Sequence, residues 1–225
     1  PNRDGRVGRG GCIYFNNQTF NPMYCDKQKS VTEQLEDGKR FFARKYPDMK
    51  YLAYFQAYTN TYGTNSHLKA LYEEALAEDV VGLVIGTRPD CINDDLLDYF
   101  EELNQRTFLI VEYGVETCND ATLRLINRGH DFDCAKRAIE RTASRGIRVG
   151  AHIILGLPGE DENESLRQAP IISSLPLTTL KIHQMQIIRG TKLAKMYEEH
   201  PFHLYSVDEY IHLIAEYISR LRADL

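Results

Sequence analysis

Short apolar runs alternate with segments of helical periodicity along this chain. The apolar runs are mainly continuous rather than alternating, which is typical of strands buried on both faces of a parallel sheet. Helical segments carry apolar residues three and four positions apart, as at Val31, Leu35, Phe42 and Tyr46. The pattern predicts strands over residues 51–56, 80–85, 108–113, 147–155 and 180–188, and helices over 30–46, 66–76, 94–103, 120–128, 131–145, 162–174, 193–199 and 206–221.

Local start and stop signals place several helix ends. Ser30 with Glu33, and Ser206 with Glu209, have the spacing of a capping box, in which the serine hydroxyl and the glutamate carboxylate each accept a backbone N–H. Ser66 is the expected N-cap of the second helix. Gly146 is expected to end the helix before it, since glycine adopts the left-handed conformation readily.

The order of elements predicts an α/β fold with a parallel sheet. Right-handed crossovers then give either an open doubly wound sheet or a (β/α) barrel. Five strands are too few for a closed eight-stranded barrel, and the glycine-rich start of the chain implies one strand before it. No repeat or change of composition divides the chain, so we expect a single domain over residues 1–225, with a glycine loop at 1–28 and βα units at 29–225.

Composition and charge then narrow the class of protein. The 225 residues are 43% hydrophobic and 26% charged, which suits one globular core. A net charge of −5 gives no global footprint for nucleic acid, although Arg3, Arg6 and Arg9 cluster near the start. Five cysteines without regular spacing are typical of reduced thiols, so we expect a cytoplasmic protein without a membrane segment.

Polar residues follow every predicted strand. The carboxyl ends of parallel strands meet at one edge of a sheet, where ligands bind in α/β folds. Each residue also has a structural alternative: Asp90 or Thr117 could cap a helix, and Arg88 could pair with Glu112 as a buried bridge. The polar residues at the five ends are Gln56, Tyr58, Thr59 and Asn60; Thr87, Arg88 and Asp90; Glu112, Glu116 and Thr117; His152; and His183, Gln186 and Arg189.

Two features of this set are chemically distinctive. His152 interrupts an apolar strand, where it is either a hydrogen-bonded core histidine or a ligand-binding group. Cys12 lies in a loop rich in glycine and arginine whose backbone can approach a ligand; a frayed terminus is the alternative. The next cysteine, Cys25, lies too far along to form a zinc pattern with Cys12.

Taken together, the motifs resemble the radical S-adenosylmethionine (SAM) superfamily, and within it the YhcC-like group related to the catalytic subunit of Elongator. The resemblance covers essentially the whole chain. Each motif is weak alone, but their common order is specific. They are PNRDG at residues 1–5, GGCIY at 10–14, YFQAYTNT at 54–61, IGTRPD at 85–90, EYGVET at 112–117, INRGHD at 126–131, HIILGLPGE at 152–160, LKIH at 180–183 and IRGT at 188–191.

This resemblance implies an incomplete (β/α)₆ TIM-like barrel, with its first strand missing from this chain. It also implies a [4Fe–4S] cluster on three cysteines, SAM bound to the cluster, and an electron donor whose electron cleaves SAM to a deoxyadenosyl radical. Cys12 would be the second cluster ligand and Tyr14 the aromatic beside the adenine. The other cofactor-binding residues would be Gln56, Tyr58, Thr59 and Asn60 at the methionine amino group, Glu116 and His152 at the ribose and carboxylate, Gln186 and Ile188 behind the adenine, and Arg88 at the methionine carboxylate or the substrate.

The chain also departs from the family pattern. The third ligand position holds Phe15, which cannot bind iron, and the first ligand would precede Pro1. We therefore expect a radical SAM barrel without a complete cluster site; a cluster-free barrel that binds a nucleotide or nucleic acid is the alternative. The substrate, a small molecule or RNA, and the oligomeric state do not follow from the sequence.

Overall fold

Five strands alternate with eight helices along the described part of the chain, which comprises residues 1–16, 22–26, 28–46, 48–77 and 79–225 of a computed structural model. Helix α5 begins at an aspartate N-cap whose carboxylate accepts a backbone N–H, and most other helices have a similar cap. The elements are α1 Val31–Ala43, β1 Tyr51–Phe55, α2 Asn65–Glu74, β2 Val80–Thr87, α3 Asp94–Arg106, β3 Phe108–Glu116, α4 Asp120–Leu125, α5 Phe132–Ala143, β4 Arg148–Leu155, α6 Glu162–Ser173, β5 Thr179–Gln184, α7 Lys192–Glu199 and α8 Val207–Ser219.

The strands form one parallel sheet in the order β1-β2-β3-β4-β5. Each pair is joined by at least one helix, as a parallel connection requires. The sheet curls into a half-barrel, which confirms the predicted incomplete barrel. All strand ends that carry the predicted site residues therefore lie at the same edge, which we call the mouth.

The two faces of the sheet differ in chemistry because side chains alternate along each strand. The outer face packs against the helices, and Leu83, Val111 and Val149 on it are fully buried. Removing one such leucine side chain costs about 2–5 kcal/mol in typical cores. The inner face of the curl instead carries polar residues and glycines, among them Tyr54, Gly86, Glu112, Gly114, Gly150, His152, Lys181 and His183.

The helix starts predicted from capping boxes are confirmed at Ser30 and Ser206. The predicted cap at Ser66 is wrong, because α2 begins two residues earlier: Thr64 has the extended N-cap conformation and its carbonyl accepts from Leu68 N. Gly146 has a positive φ of 72° after α5, as predicted.

The fifth strand is shorter than its apolar run. Residues 180–188 were expected to be extended, but β5 ends at Gln184. Met185 N makes a last hydrogen bond to Leu155 O, the end of β4, so no partner backbone continues beside the chain. Met185 is still buried, which explains why the apolar pattern outlasts the strand.

No helix in the described ranges is both long and apolar enough to cross a bilayer.

Candidate functional site

The glycine-rich loop at the start of the chain is fastened across the mouth. Asn2 Nδ2 donates to Asn127 O at 2.8 Å, and Asn127 Nδ2 donates back to Gly11 O at 2.7 Å. Ile13 N donates to Ile126 O, and Leu193 N donates to Ile13 O. These reciprocal bonds favour the ligand-approaching loop over the frayed terminus.

Gly11 allows this close approach. Its φ is +73°, and a Cβ added there would lie 2.8 Å from Arg3 Cζ. Any side chain there would be strained by this backbone conformation, and the end of the flexible Arg3 side chain would have to move. The loop can lie flat against the barrel because this position is glycine.

Cys12 lies at the centre of a polar cluster under this loop. Its Sγ accepts from Asn2 Nδ2 at 3.3 Å and from Arg128 Nη1 at 3.6 Å. Arg128 also donates to Gly114 O at 2.7 Å and pairs with Glu116 at 3.1 Å. We call Asn2, Cys12, Glu116 and Arg128 the mouth cluster.

Charge compensation makes this buried arrangement stable. Arg128 and Glu116 are 7% and 8% exposed, and a lone charge at such depth would be costly. Burial disfavours the charged form of Arg128, but Glu116, Cys12 and Tyr14 together outweigh burial and raise the pKa of the guanidinium. Gly114 makes room for this pair, because a Cβ there would lie 2.4 Å from Arg128 Nη2.

Glu116 is held in an uncommon backbone conformation at the end of β3. Its φ is +69°, and the register with β4 shifts between Gly114 and Glu116. Tyr14 lies close to it: burial raises the pKa of Tyr14 well above its usual value, and the negative charge of Glu116 adds to this. The structure thus brings Cys12, Tyr14 and Glu116 together.

Arg88 is buried beside the mouth cluster, with a different partner from the one considered. Its Nε and Nη2 bind the two carboxylate oxygens of Asp90 at 2.9 Å each, and Nη2 also donates to Arg128 O. The alternative considered from the sequence, a buried ion pair between Arg88 and Glu112, is therefore wrong. Asp90 is also not the cap of α3, since Asn93 has that role.

Two buried guanidinium nitrogens have no hydrogen-bond acceptor in the described part of the chain. They are Arg88 Nη1 and Arg128 Nε. Buried polar atoms are nearly always paired, so unpaired donors of two neighbouring arginines fit a carboxylate-bearing ligand. This observation suits SAM, which carries a carboxylate.

The remaining predicted residues lie around the mouth and differ in exposure and in the hydrogen bonds that they already make. Gln56 and Tyr58 are exposed after β1, and Gln186 is exposed after β5. Thr59 and Ile188 are partly buried. Asn60 is committed to structure, because its Nδ2 donates to Phe55 O and to Gly86 O at 2.8 Å each and so ties β1 to β2.

A second polar cluster lies on the inner face, one layer below the mouth. Glu112 Oε2 accepts from Tyr54 Oη at 2.6 Å, His152 Nε2 at 2.8 Å and Lys181 Nζ at 2.9 Å. His183 Nε2 lies 3.3 Å from His152 Nδ1. We call Tyr54, Glu112, His152, Lys181 and His183 the inner-face cluster.

Burial and hydrogen bonding oppose each other at Glu112. Burial by itself would raise the pKa of this carboxyl, but the hydrogen bonds from His152, Tyr54 and Lys181 lower it to about 2. Gly150, the register partner of Glu112, provides the space, since a Cβ there would lie 2.8 Å from Glu112 Cγ. The carboxylate is therefore charged and fixed at any physiological pH.

Sequence reasoning placed Glu112, His152 and His183 at strand ends but missed Tyr54 and Lys181. The signal that could have found them is the alternation of strand side chains, since Tyr54 is two residues before Gln56 and Lys181 two before His183. Both ring nitrogens of His152 are engaged inside the cluster, so its predicted contact with SAM stays a prediction.

Comparison with known proteins decides the family. Residues 16–167 match the Radical SAM superfamily, and residues 177–225 match the Radical_SAM C-terminal domain. The chain is a member of the radical SAM superfamily. YtqA of Bacillus subtilis is 40% identical over 217 residues, which are 96% of this chain and 67% of YtqA. YhcC of Escherichia coli K12 is 38% identical over 200 residues, 88% of this chain and 63% of YhcC.

The chain thus spans about two thirds of these relatives. A tRNA uridine(34) acetyltransferase of Methanocaldococcus infernus is 29% identical over 60% of this chain and 25% of its own length. Among solved structures, archaeal Elp3 from the same organism has a TM-score of 0.72 at 19% identity, covering 86% of this chain and 50% of Elp3. Coproporphyrinogen III oxidase (HemN) of E. coli, a radical SAM enzyme, has a TM-score of 0.62 at 16% identity, covering 93% and 49%. These structures share the fold.

The chain accordingly contains a radical SAM domain, and the cofactors of this family are a [4Fe–4S] cluster and SAM. The donor set of this radical SAM chain does not fit a complete cluster. Cys12 is the only cysteine in the motif-bearing loop at residues 1–16, and Phe15 follows it at the third ligand position. No group of three His, Cys, Asp or Glu side chains within the described ranges is arranged to hold a metal ion.

Proposed function

We propose that this half-barrel binds SAM at its mouth through the residues of the mouth cluster and the neighbouring strand ends. The observation that carries the proposal is the pair of unpaired buried donors, Arg88 Nη1 and Arg128 Nε, of which the second belongs to the guanidinium that pairs with Glu116. Guanidinium donors suit the methionine carboxylate, and a carboxylate suits ribose hydroxyls. The further binding residues of the proposed site are Tyr14, Gln56, Tyr58, Thr59, Gln186 and Ile188. Asn60 and His152 would support the site through the hydrogen bonds that they already make.

We further propose that this chain does not assemble a full cluster on its own residues. Three thiolates are needed by the family pattern, and Phe15 supplies none. Cys12 Sγ already accepts hydrogen bonds from Asn2 and Arg128, so this sulfur has polar partners in the absence of iron.

Anaerobic reconstitution tests this second proposal. The chain is incubated with iron and sulfide, desalted, and assayed for bound iron, bound sulfide and charge-transfer absorbance. We expect far less than four irons per chain. Four irons and four sulfides with cluster absorbance would overturn the proposal.

Calorimetric titration with SAM tests the first proposal on the same chain without iron. We expect SAM to bind, and ATP, which lacks the amino acid group, to bind at least about tenfold more weakly, since unpaired buried donors penalise a ligand that lacks their acceptor. Equal affinities for SAM and ATP would instead support the cluster-free nucleotide-binding alternative.

RNA is the substrate class that we propose for the enzyme. The name of the archaeal acetyltransferase points to tRNA for that protein, and the exposed Arg3, Arg6 and Arg9 place positive charge on the loop of this chain. A tRNA-binding titration at rising salt is the test. We expect Arg6→Gln to weaken binding and reduce its salt dependence, whereas no binding at low salt would contradict an RNA substrate.

A further inference from the structure

The inner-face cluster is a chain of hydrogen bonds with a defined direction. Glu112 carries a carboxylate, which only accepts hydrogen bonds. His152 must therefore donate its Nε2–H across the 2.8 Å contact, and a neutral His152 then has no proton on Nδ1. The His152 Nδ1 lone pair can only accept, so His183 donates its Nε2–H across 3.3 Å.

One ring nitrogen of His183, Nδ1, takes no part in this chain of hydrogen bonds. When neutral, His183 has its proton on Nε2 and a lone pair on Nδ1. Within the described residues, Nδ1 has no hydrogen-bond partner. The His183 residue is exposed, whereas Glu112 at the other end of the chain of bonds has a side chain 5% exposed. The cluster thus begins at a buried anion and ends at an accessible acceptor.

The charges around His183 keep this state stable. Glu112 and Glu116 face it from β3, His152 from β4 and Lys181 from β5. Burial lowers the pKa of His183, and the two carboxylates only partly oppose this. His183 is therefore neutral at pH 7, with its Nδ1 lone pair free.

We propose that His183 Nδ1 is a substrate-binding acceptor on the inner face of the half-barrel, and that Glu112, acting through His152, is a positioning residue that fixes its tautomer. The matching ligand is a substrate that carries an O–H or N–H donor. Lys181 neutralises Glu112 at 2.9 Å and also donates to Tyr54 Oη at 3.0 Å, so neither residue competes for His183. This proposal depends on the proposed function in one respect: a substrate must enter the half-barrel.

Two measurements on the unaltered chain test the proposal. The first is a two-bond ¹H–¹⁵N spectrum of the ¹⁵N-histidine-labelled chain at pH 8, with His152→Asn and His183→Asn used only to assign the signals. We expect both histidines as Nε2–H tautomers. An Nδ1–H tautomer at His183 would overturn the proposal.

The second measurement is acylation by diethyl pyrocarbonate, which attacks an unprotonated, accessible imidazole nitrogen. Peptide mass mapping follows each histidine, and His67 on α2 is the internal control for reagent activity. We expect His183 to be acylated at least about tenfold faster than His152, whose nitrogens are both hydrogen-bonded. The pH midpoint of His183 acylation should lie below the ordinary histidine value of about 6.5. Equal rates at the two histidines, or no reaction at His183, would contradict the proposal.

Glu112→Gln tests the positioning role, with Glu102→Gln on the exposed side of α3 as the matched control. Loss of the carboxylate should lower the pH midpoint of His183 acylation further and mix the His152 tautomers, whereas Glu102→Gln should change neither. Circular dichroism checks that both variants fold. If Glu112→Gln leaves the tautomers and the midpoint unchanged, Glu112 is not a positioning residue. None of these readouts involves SAM, so failure of the SAM titration and failure of this proposal are distinguishable.

Discussion

The mouth cluster and the inner-face cluster bury charge in opposite ways. The mouth cluster is built around a cation, Arg128, whose Nη1 and Nη2 groups contact a thiol, a backbone carbonyl and Glu116. The inner-face cluster is built around an anion, Glu112, which is surrounded by side-chain donors. The backbone carbonyl of Gly114 fixes the position of Arg128 in the mouth cluster. In the inner-face cluster, Glu112 sets the donor and acceptor atoms of His152, and His152 in turn sets those of His183. The first arrangement suits a binding frame and the second suits a group presented to a ligand.

Arg128→Met should have the largest effect on stability. It leaves Glu116 as an uncompensated buried charge, and breaking a buried pair in this way typically costs about 3–5 kcal/mol. Urea unfolding measures the loss. Arg137→Met is the control, because that side chain is 60% exposed and should change stability by less than about 0.5 kcal/mol. Similar losses in the two variants would mean that the mouth cluster does not hold the loop.

Glu112→Gln should cost somewhat less. It keeps the shape of the side chain but weakens three hydrogen bonds to a charged group, which are typically worth about 1.5–3 kcal/mol each when lost outright. We expect a lower free energy of unfolding at pH 7 than in Glu102→Gln. If the two variants were equally stable, the inner-face cluster would contribute nothing to the fold.

Gly150→Ala should cost about 1–3 kcal/mol, because its Cβ would collide with Glu112 and Thr179 at 2.8 Å. Gly63→Ala is the matched control, since the nearest atom to its added Cβ is 3.6 Å away. Thermal unfolding of both variants measures the difference. A Gly150→Ala protein as stable as Gly63→Ala would show that Glu112 can move away without penalty.

Acidification should give the smallest effect. The pKa of Glu112 is about 2 in the folded chain and ordinarily 4.5, so its hydrogen bonds stabilise the fold above pH 4.5 and lose that contribution as the pH falls towards 2. Between pH 4.5 and pH 3, the free energy of unfolding should fall more in the unaltered chain than in Glu112→Gln. Equal falls would indicate that Glu112 does not titrate in this window.

Sequence reasoning succeeded where the signal is local. The capping boxes at Ser30 and Ser206 involve residues three apart, and the buried strands are visible as apolar runs. It failed where the outcome depends on distant partners. The end of β5 is set by where β4 stops. The missed Arg88–Asp90 pair is a different case, because these residues are two positions apart and the turn after β2 brings them together.

The candidate site shows the same division. Alignment of strand ends predicted that Glu116, His152 and Arg88 would lie near the mouth. It could not predict that Arg128, from a turn after α4, is the cation between Cys12 and Glu116, because that contact joins segments more than a hundred residues apart. A hydrogen-bonded core histidine was one of the two interpretations of His152, but its partners Glu112 and His183 lie on other strands and were not predicted.

The most direct test of the account is the affinity of the chain for SAM in Glu116→Gln, measured by calorimetry beside the unaltered chain and Glu198→Gln on α7. The account predicts that Glu116→Gln binds SAM about tenfold or more weakly, the effect of losing a charged hydrogen-bond acceptor at the mouth, and that Glu198→Gln binds as the unaltered chain does. Equal affinity for all three proteins would contradict the claim that the mouth of this half-barrel binds SAM.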